Sequence, residues 1–305
     1  MPKAYVFTRY GGPETEALID VDRPVPGPGE LLVSVRAAGV NPVDWKLRAG
    51  YRRPGDTGER TFPAVLGNEV AGVVRDTGDG VEGFAVGDEV LGSPVAGGYA
   101  EYALLPAGGL VAHKPAALSF TDAATLPVAG ATAYDGIEQL GLEAGATVLV
   151  TGAGGGVGVA AVQIARAFGL RVVGLASEGK KDLVESLGAV HVPSGPGWTA
   201  RVPGPVDGVY DLVGGDVLEE AAGLLGGRTE LVTAGALAEA MERLGGSRVA
   251  RVRTSARLET VARLAADGAL DPHVTRTYPL DRAGEALRAV EQGHARGKIV
   301  IEVGA

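Results

Sequence analysis

Hydrophobic positions change their period partway along the chain. Up to residue 120 the apolar residues come in short, often alternating runs: KAYVF (3–7), LLVSVRAAGV (31–40), VAGVVRDTG (70–78), DEVLGS (88–93) and YAEYALLP (99–106). Turn clusters separate them, as in PVPGPGE (24–30), GDGVEGFAVGD (78–88) and VAGGY (95–99). Alternation with Gly and Pro punctuation predicts an antiparallel, barrel-like β domain. From Thr121 the pattern becomes helical: TDAATLPVAGATAYDGIEQLG (121–141) predicts a helix that Thr121 or Asp122 could cap.

Strands and helices then alternate. TVLVTG (147–152), RVVGLA (171–176), AVHVP (189–193), VDGVYDLV (206–213) and RTELVTAG (228–235) read as strands, with helical runs at 157–169, 180–188 and 216–226. That order predicts a parallel, doubly wound sheet. RVARVRT (248–254) reads as its last strand and is followed by helix ARLETVARLAADG (256–268). The tail from Val274 reads as strand, helix and closing strand, returning to the first domain. The expected division is 1–120 with 255–305, and 121–254.

The first βα turn of the sheet carries the clearest chemistry. Residues 153–158 read Ala-Gly-Gly-Gly-Val-Gly, close to the G-x-G-x-x-G dinucleotide fingerprint with Ala153 at its first position. Gly155 would let the backbone approach a pyrophosphate, and Gly158 would let the helix pack closely on the strand. In NAD-binding versions an acidic residue ends the following strand and holds the ribose 2′-hydroxyl. Here Ala176 and Ser177 stand there, with Lys180 and Lys181 behind. A hydroxyl and cations suit a 2′-phosphate, which a carboxylate would repel, so NADPH is the expected cofactor. Two other readings stand beside this one: Ser177 as a helix cap with solvated lysines, and Glu178 as the ribose ligand.

Composition narrows the partners. A net charge of −9 argues against nucleic acid and anionic membranes. The absence of Cys removes disulfides, thiolate nucleophiles and Cys-ligated zinc. No signal-peptide core appears at the N-terminus, and the uncharged stretch between Glu143 and Arg166 is glycine-rich in its middle, as a strand-turn-helix unit would be. A cytoplasmic protein is expected. His113, His191, His273 and His294 are scattered and read as structural or surface residues.

Taken together, AAGVNPVDWKLRAG (37–50), FPAVLGNEVAGVV (62–74), VGDEVLG (86–92), GGYAEYALLP (97–106), AATLPVAGATAYDGI (123–137), VTGAGGGVG (150–158), VYDLVGG (209–215) and residues 278–303 resemble the zinc-independent quinone oxidoreductase (zeta-crystallin-like) branch of the medium-chain dehydrogenases/reductases. The resemblance spans essentially the whole chain. It implies an α/β fold, with a GroES-like β-barrel-type catalytic domain and a Rossmann domain with a doubly wound parallel sheet. Zinc-dependent relatives carry Cys where this chain has Asn41, His where it has Asn68, and a four-Cys lobe after the segment ending near Gly92. No metal site is therefore expected.

The resemblance also implies roles. Asn41 would lie beside the nicotinamide as a catalytic and cofactor-binding residue, with Asp44 in the same turn as a second catalytic candidate, and Thr132 would face the nicotinamide end. Gly155, Gly156 and Val157 would offer backbone to the pyrophosphate, and Ser177 with Lys180 or Lys181 would take the 2′-phosphate. Val213, Gly235 and Lys298 would line the cofactor, Lys298 near the domain junction. The Tyr that many relatives carry after the third strand is missing from HVPSGPG (191–197). Asn41 ordering a turn, Asp44 pairing with Lys46 or Arg48, and Thr132 as an ordinary helix residue stand as alternatives.

The implied activity is zinc-free hydride transfer to a quinone or an α,β-unsaturated carbonyl compound. Tyr51 is the candidate proton donor, with Arg52 and Arg53 beside it as an anion-attracting or merely solvated pair. Alternatives are an NADPH-binding protein with little turnover and a stand-alone enoyl-thioester reductase. A homodimer is expected, because the strand at 248–254 would otherwise leave an exposed edge that pairing across a two-fold axis covers; an edge guarded by its own arginines is the alternative.

Overall fold

A computed structural model describes residues 1–52, 59–293 and 295–304; Arg53 and His294 lie outside these. The chain forms two compact units: Met1–Val128, Arg253–Ala266 and Val274–Ala305 in one, Ala129–Val252 and Asp267–His273 in the other. The change of unit expected at 120/121 thus falls at Val128/Ala129, and Asp267–His273 belongs to the second unit.

The first unit begins with β1 (Lys3–Phe7), β2 (Glu16–Asp20), β3 (Glu30–Val40), α1 (Pro42–Arg48) and β4 (Ala64–Val65). It continues through β5 (Val70–Thr77), β6 (Glu89–Gly92), β7 (Tyr102–Pro106), β8 (Val111–His113) and α2 (Phe120–Ala123). The second unit holds α3 (Ala131–Leu140), β9 (Thr147–Thr151), α4 (Gly156–Ala167), β10 (Arg171–Ala176), α5 (Lys181–Ser186) and β11 (Val190–Pro193). It closes with β12 (Gly208–Asp211), α6 (Gly215–Gly223), β13 (Leu231–Thr233), α7 (Ala238–Leu244) and β14 (Ser247–Arg248). The chain then returns to the first unit with α8 (Ser255–Ala266), β15 (Val274–Pro279), α9 (Ala283–Glu291) and β16 (Lys298–Glu302).

In the first unit β3 is the organising strand. Its register to β5 shifts between Leu32/Val33 and between Val35/Ala37, so the long strand bends. Its first half pairs with β7 and its last residues, Ala37–Val40, pair with β16. Leu31, Val33, Val35, Val70, Ile299 and Ile301 are buried in one core. Burying each such aliphatic side chain contributes about 1.5–3 kcal/mol, enough for their spacing to fix the register. Helix α1 is held by Arg48, 1% exposed, which is ion-paired to Glu16 and, at 2.9 Å, to Glu291.

In the second unit the strand order is β11-β10-β9-β12-β13-β14, every pair parallel. The order reverses between β9 and β12, so a crevice is expected at the carboxyl ends of these strands. The strand expected at 248–254 is reduced to Ser247–Arg248, extended only by a bond from Val249 N to Thr233 O. Its neighbour β13 has three residues and offers no further ladder. The homodimer drawn from that edge loses its argument.

The single helix expected from Thr121 is broken. Ser119, not Thr121 or Asp122, caps α2 by accepting Asp122 N at 3.0 Å. Pro127 lies in the wide turn Leu126–Gly130, where proline cannot continue the α-helical ladder. Among the described residues no helix is long and apolar enough to cross a membrane.

Candidate functional site

At the carboxyl end of β9 the chain turns through Gly152 (φ +67°) into α4. Ala153 is fully buried, and its N–H bonds to Leu175 O at 3.0 Å, tying the turn to β10. A Cβ at Gly158 would collide with Gly152 O and Ala153, so helix and turn touch backbone to backbone. A Cβ at Gly155 would meet only Gly152 O, at 3.4 Å, and so would project into otherwise open space. Gly155 is the N-cap of α4, and among the described residues no side chain caps that end. The first turn of this helix, with Gly156 and Val157, therefore offers its N–H groups and positive dipole end to an anion. The residues fit a pyrophosphate.

The next strand completes this corner. Ser177 is exposed at the end of β10 and makes no capping bond to the short turn Glu178–Lys180 that follows, which removes the helix-cap reading. The aliphatic stem of Lys180 lies across Gly154: a Cβ there would meet Lys180 Cβ at 3.0 Å and Cγ at 3.2 Å. Lys180 is thus seated on the glycine turn, whereas Lys181 is exposed at the start of α5. Glu178 is exposed beside Ser177.

Thr132 is 5% exposed on α3. Its carbonyl accepts Tyr210 OH at 2.6 Å and its hydroxyl is 3.4 Å from Arg251 Nε. Val213 follows β12 and is 52% exposed. Gly235 follows β13, and its N–H donates to Thr233 Oγ1 at 3.0 Å. Val213 and Gly235 sit on adjacent loops, since a Cβ on Gly235 would touch Val213 N at 3.2 Å.

The first unit gathers a second group of expected residues into a buried polar network. Asn41 is the N-cap of α1 and closes a capping box with Asp44, whose Oδ2 accepts Asn41 N at 2.8 Å. Asn41 Nδ2 donates to Glu69 Oε1 at 2.7 Å. Lys298 Nζ donates to Asn41 Oδ1 (2.8 Å), Glu69 Oε1 (2.9 Å) and Val40 O (3.1 Å). Glu69 Oε2 accepts Val128 N at 2.7 Å, a donor displaced from the helical ladder by the Pro127 turn. Gly39 is required above it, because a Cβ there would collide with Glu69.

This placement corrects three expectations. All three ammonium hydrogens of Lys298, 3% exposed, are spent within the first unit, so it is not placed to hold a cofactor. Asp44 is fully buried and accepts Tyr99 OH at 2.7 Å and the Asn68 amide; it positions Asn41 and pairs with neither Lys46 nor Arg48. Tyr51, 42% exposed, lies beyond the far end of α1 from Asn41, a helix of seven residues and so roughly 10 Å long. The structure does not bring these two together.

Burial pushes the Asp44 carboxyl up to about 6, against the bonds from Tyr99, Asn41 and Asn68 that favour its charged form. The folded value lies above the unfolded one, so between about pH 4 and 6 the native state binds a proton that the unfolded state lacks. That contribution to stability is present at low pH and is lost as pH rises through 6. Asp44→Asn lacks it. The stability of the wild type relative to this variant should therefore fall by about 2 kcal/mol between pH 4 and pH 7, measured by urea unfolding.

Asn41 and Asn68 present amides, and both amide nitrogens are donors to carboxylates. Among the described residues no group of three or more His, Cys, Asp or Glu could hold a metal ion.

Sequence reasoning missed Glu69, Tyr99, Thr151, Asp211, Thr233 and Arg251. A signal existed for three of them: β9, β12 and β13 each end on a polar residue (Thr151, Asp211, Thr233) after an apolar run.

Comparison with known proteins agrees with this architecture. The family model of the alcohol dehydrogenase GroES-like domain matches residues 27–116, and that of the zinc-binding dehydrogenases matches residues 187–301. The mitochondrial NAD(P)H oxidoreductase RTN4IP1 of Bos taurus is 32% identical, covering 90% of this chain and 82% of its own. The 2-methylene-furan-3-one reductase of Solanum lycopersicum is 34% identical over 98% of this chain and 78% of its own. A solved quinone oxidoreductase from Coxiella burnetii superposes with a TM-score of 0.91 at 28% identity, covering 99% of each chain. The chain belongs to the quinone oxidoreductase family of the medium-chain dehydrogenases/reductases, and it is an oxidoreductase with a nucleotide-binding domain.

Proposed function

We propose that the chain reduces a quinone or the β-carbon of an α,β-unsaturated carbonyl compound by zinc-free hydride transfer from NADPH. The observation that carries this reading is the corner where Lys180 lies across the open glycine turn and Ser177, not a carboxylate, directly follows β10. When bound, the nicotinamide supplies the hydride. The turn and the first N–H groups of α4 would hold the pyrophosphate, and Lys180 with Ser177 the 2′-phosphate. Val213 and Gly235 would line the other half of the cofactor, with Thr132 near its nicotinamide end. Asn41 and Asn68, with amide nitrogens committed to carboxylates, support chemistry that does not pass through zinc.

The test is oxidation of NADPH and of NADH by a simple quinone and a simple enone. The expected result is turnover with at least one acceptor and faster oxidation of NADPH. Binding of NADPH without turnover on either acceptor, or on an enoyl thioester, would overturn the enzyme reading in favour of a binding protein.

A further inference from the structure

Asp211 is a charged residue at the carboxyl end of β12, the strand beside the point where the sheet order reverses, and it is completely buried. Its Oδ1 accepts Thr151 Oγ1 at 2.7 Å, Gly214 N at 3.1 Å and Val213 N at 3.2 Å. Its Oδ2 accepts Thr233 Oγ1 at 2.6 Å and shares Gly214 N at 3.1 Å. The two threonines end the flanking strands β9 and β13. Each passes the contact on: Thr151 Oγ1 accepts Leu212 N at 3.0 Å, and Thr233 Oγ1 accepts Gly235 N at 3.0 Å and Ala236 N at 3.1 Å. One carboxylate thus ties together three adjacent strand ends and fixes the backbone of 212–214 and 235–236.

We infer that Asp211 is a positioning residue for the nicotinamide half of the dinucleotide, acting through the loops that carry Val213 and Gly235. The inference rests on the dinucleotide reading above. In a sheet of this order the half made by β9–β11 serves the adenosine end and the half made by β12–β14 serves the other end. Asp211 holds the second half: its side-chain partners are Thr151, Val213, Gly214 and Thr233. An ionised carboxylate offers about four lone-pair sites and no donor, which matches four donors arriving from three segments. Asparagine has the same shape but one acceptor. Turned either way, its NH₂ would face Gly214 N–H, together with Thr151 and Val213 N–H in the place of Oδ1 or with Thr233 in the place of Oδ2, and both threonine oxygens already accept backbone N–H groups. The loops at 212–214 and 235–236 would have to move.

The test is Asp211→Asn in the full chain, with affinities for NADP⁺ and for adenosine 2′,5′-bisphosphate measured by calorimetry. The second ligand carries the adenosine end and its phosphates but no nicotinamide. The expected result is a loss of roughly tenfold or more for NADP⁺. The fragment should stay within about twofold of wild type, as for an uncoupled site. A general weakening of the sheet cannot produce that split. Equal losses for both ligands would overturn the inference, as would no loss for either. A wild-type chain that binds neither ligand would overturn the dinucleotide reading itself. Thr233→Val retains the carboxylate and the side-chain shape, so it serves if the first variant does not fold. The same split, with a smaller loss for NADP⁺, is expected there, and its absence would count equally against the inference.

Discussion

Lys298→Met is expected to destabilise the first unit by about 3–5 kcal/mol, lowering its thermal midpoint by on the order of 10 °C. Glu69 is fully buried and Lys298 is 3% exposed, so neither charge has water to fall back on. Methionine keeps the length and bulk of the side chain but removes every donor. Asn41 Oδ1 and Val40 O then lose a partner, and Glu69 retains only Asn41 Nδ2 and Val128 N. The cost is that of an uncompensated buried carboxylate rather than the net worth of the pair. Glu69→Gln combined with Lys298→Met should recover much of the loss, since the charge left behind is gone. Denaturant unfolding of the two variants measures both effects. A loss below about 1 kcal/mol for the single variant would show that the network is not held by its charges.

Much of the fold was legible because period and punctuation agree. The alternating runs around residues 31–40 and 70–78 became β3 and β5, and the αβ alternation after Thr147 became the parallel sheet. The failures have specific causes. RVARVRT alternates like a strand, but a ladder needs a partner and β13 is too short to give one beyond Arg248. The helix from Thr121 was read through Pro127, where the ring forces the wide turn that sends Val128 N to Glu69.

The glycine turn and the end of β10 could be singled out for a different reason: their residues lie within a few positions of one another, from Ala153 to Gly158 and from Ser177 to Lys181. The polar networks could not, because their members are far apart in sequence. Asn41, Glu69 and Lys298 meet only when β3, β5 and β16 pair, and Thr151, Asp211 and Thr233 meet only when β9, β12 and β13 do. Local pattern offers Asn41 as a residue that orders a turn; only the sheet shows what its amide holds.

Lys180→Ala is expected to reduce the preference for NADPH over NADH by roughly tenfold to a hundredfold. A hydrogen bond from an ammonium to a phosphate is worth about 1.5–3 kcal/mol, and only the 2′-phosphorylated cofactor can lose it. The Lys180 stem is seated on Gly154, so its position is tied to the turn that would hold the pyrophosphate. Lys181 has no such seat and is exposed to solvent, so Lys181→Ala should change the ratio by only about twofold. The effect of Lys180 should also shrink as salt is raised, because a 2′-phosphate there would sit beside the exposed Ser177 and Lys181. The measurement is kcat/KM for both cofactors in both variants, at low and high salt. An unchanged ratio in Lys180→Ala would remove this lysine from the 2′-phosphate site and leave Ser177 to account for any preference. Equal losses with both cofactors would instead show that Lys180 supports the glycine turn it crosses. A wild type that prefers NADH would return Glu178, exposed next to Ser177, to the ribose 2′-hydroxyl.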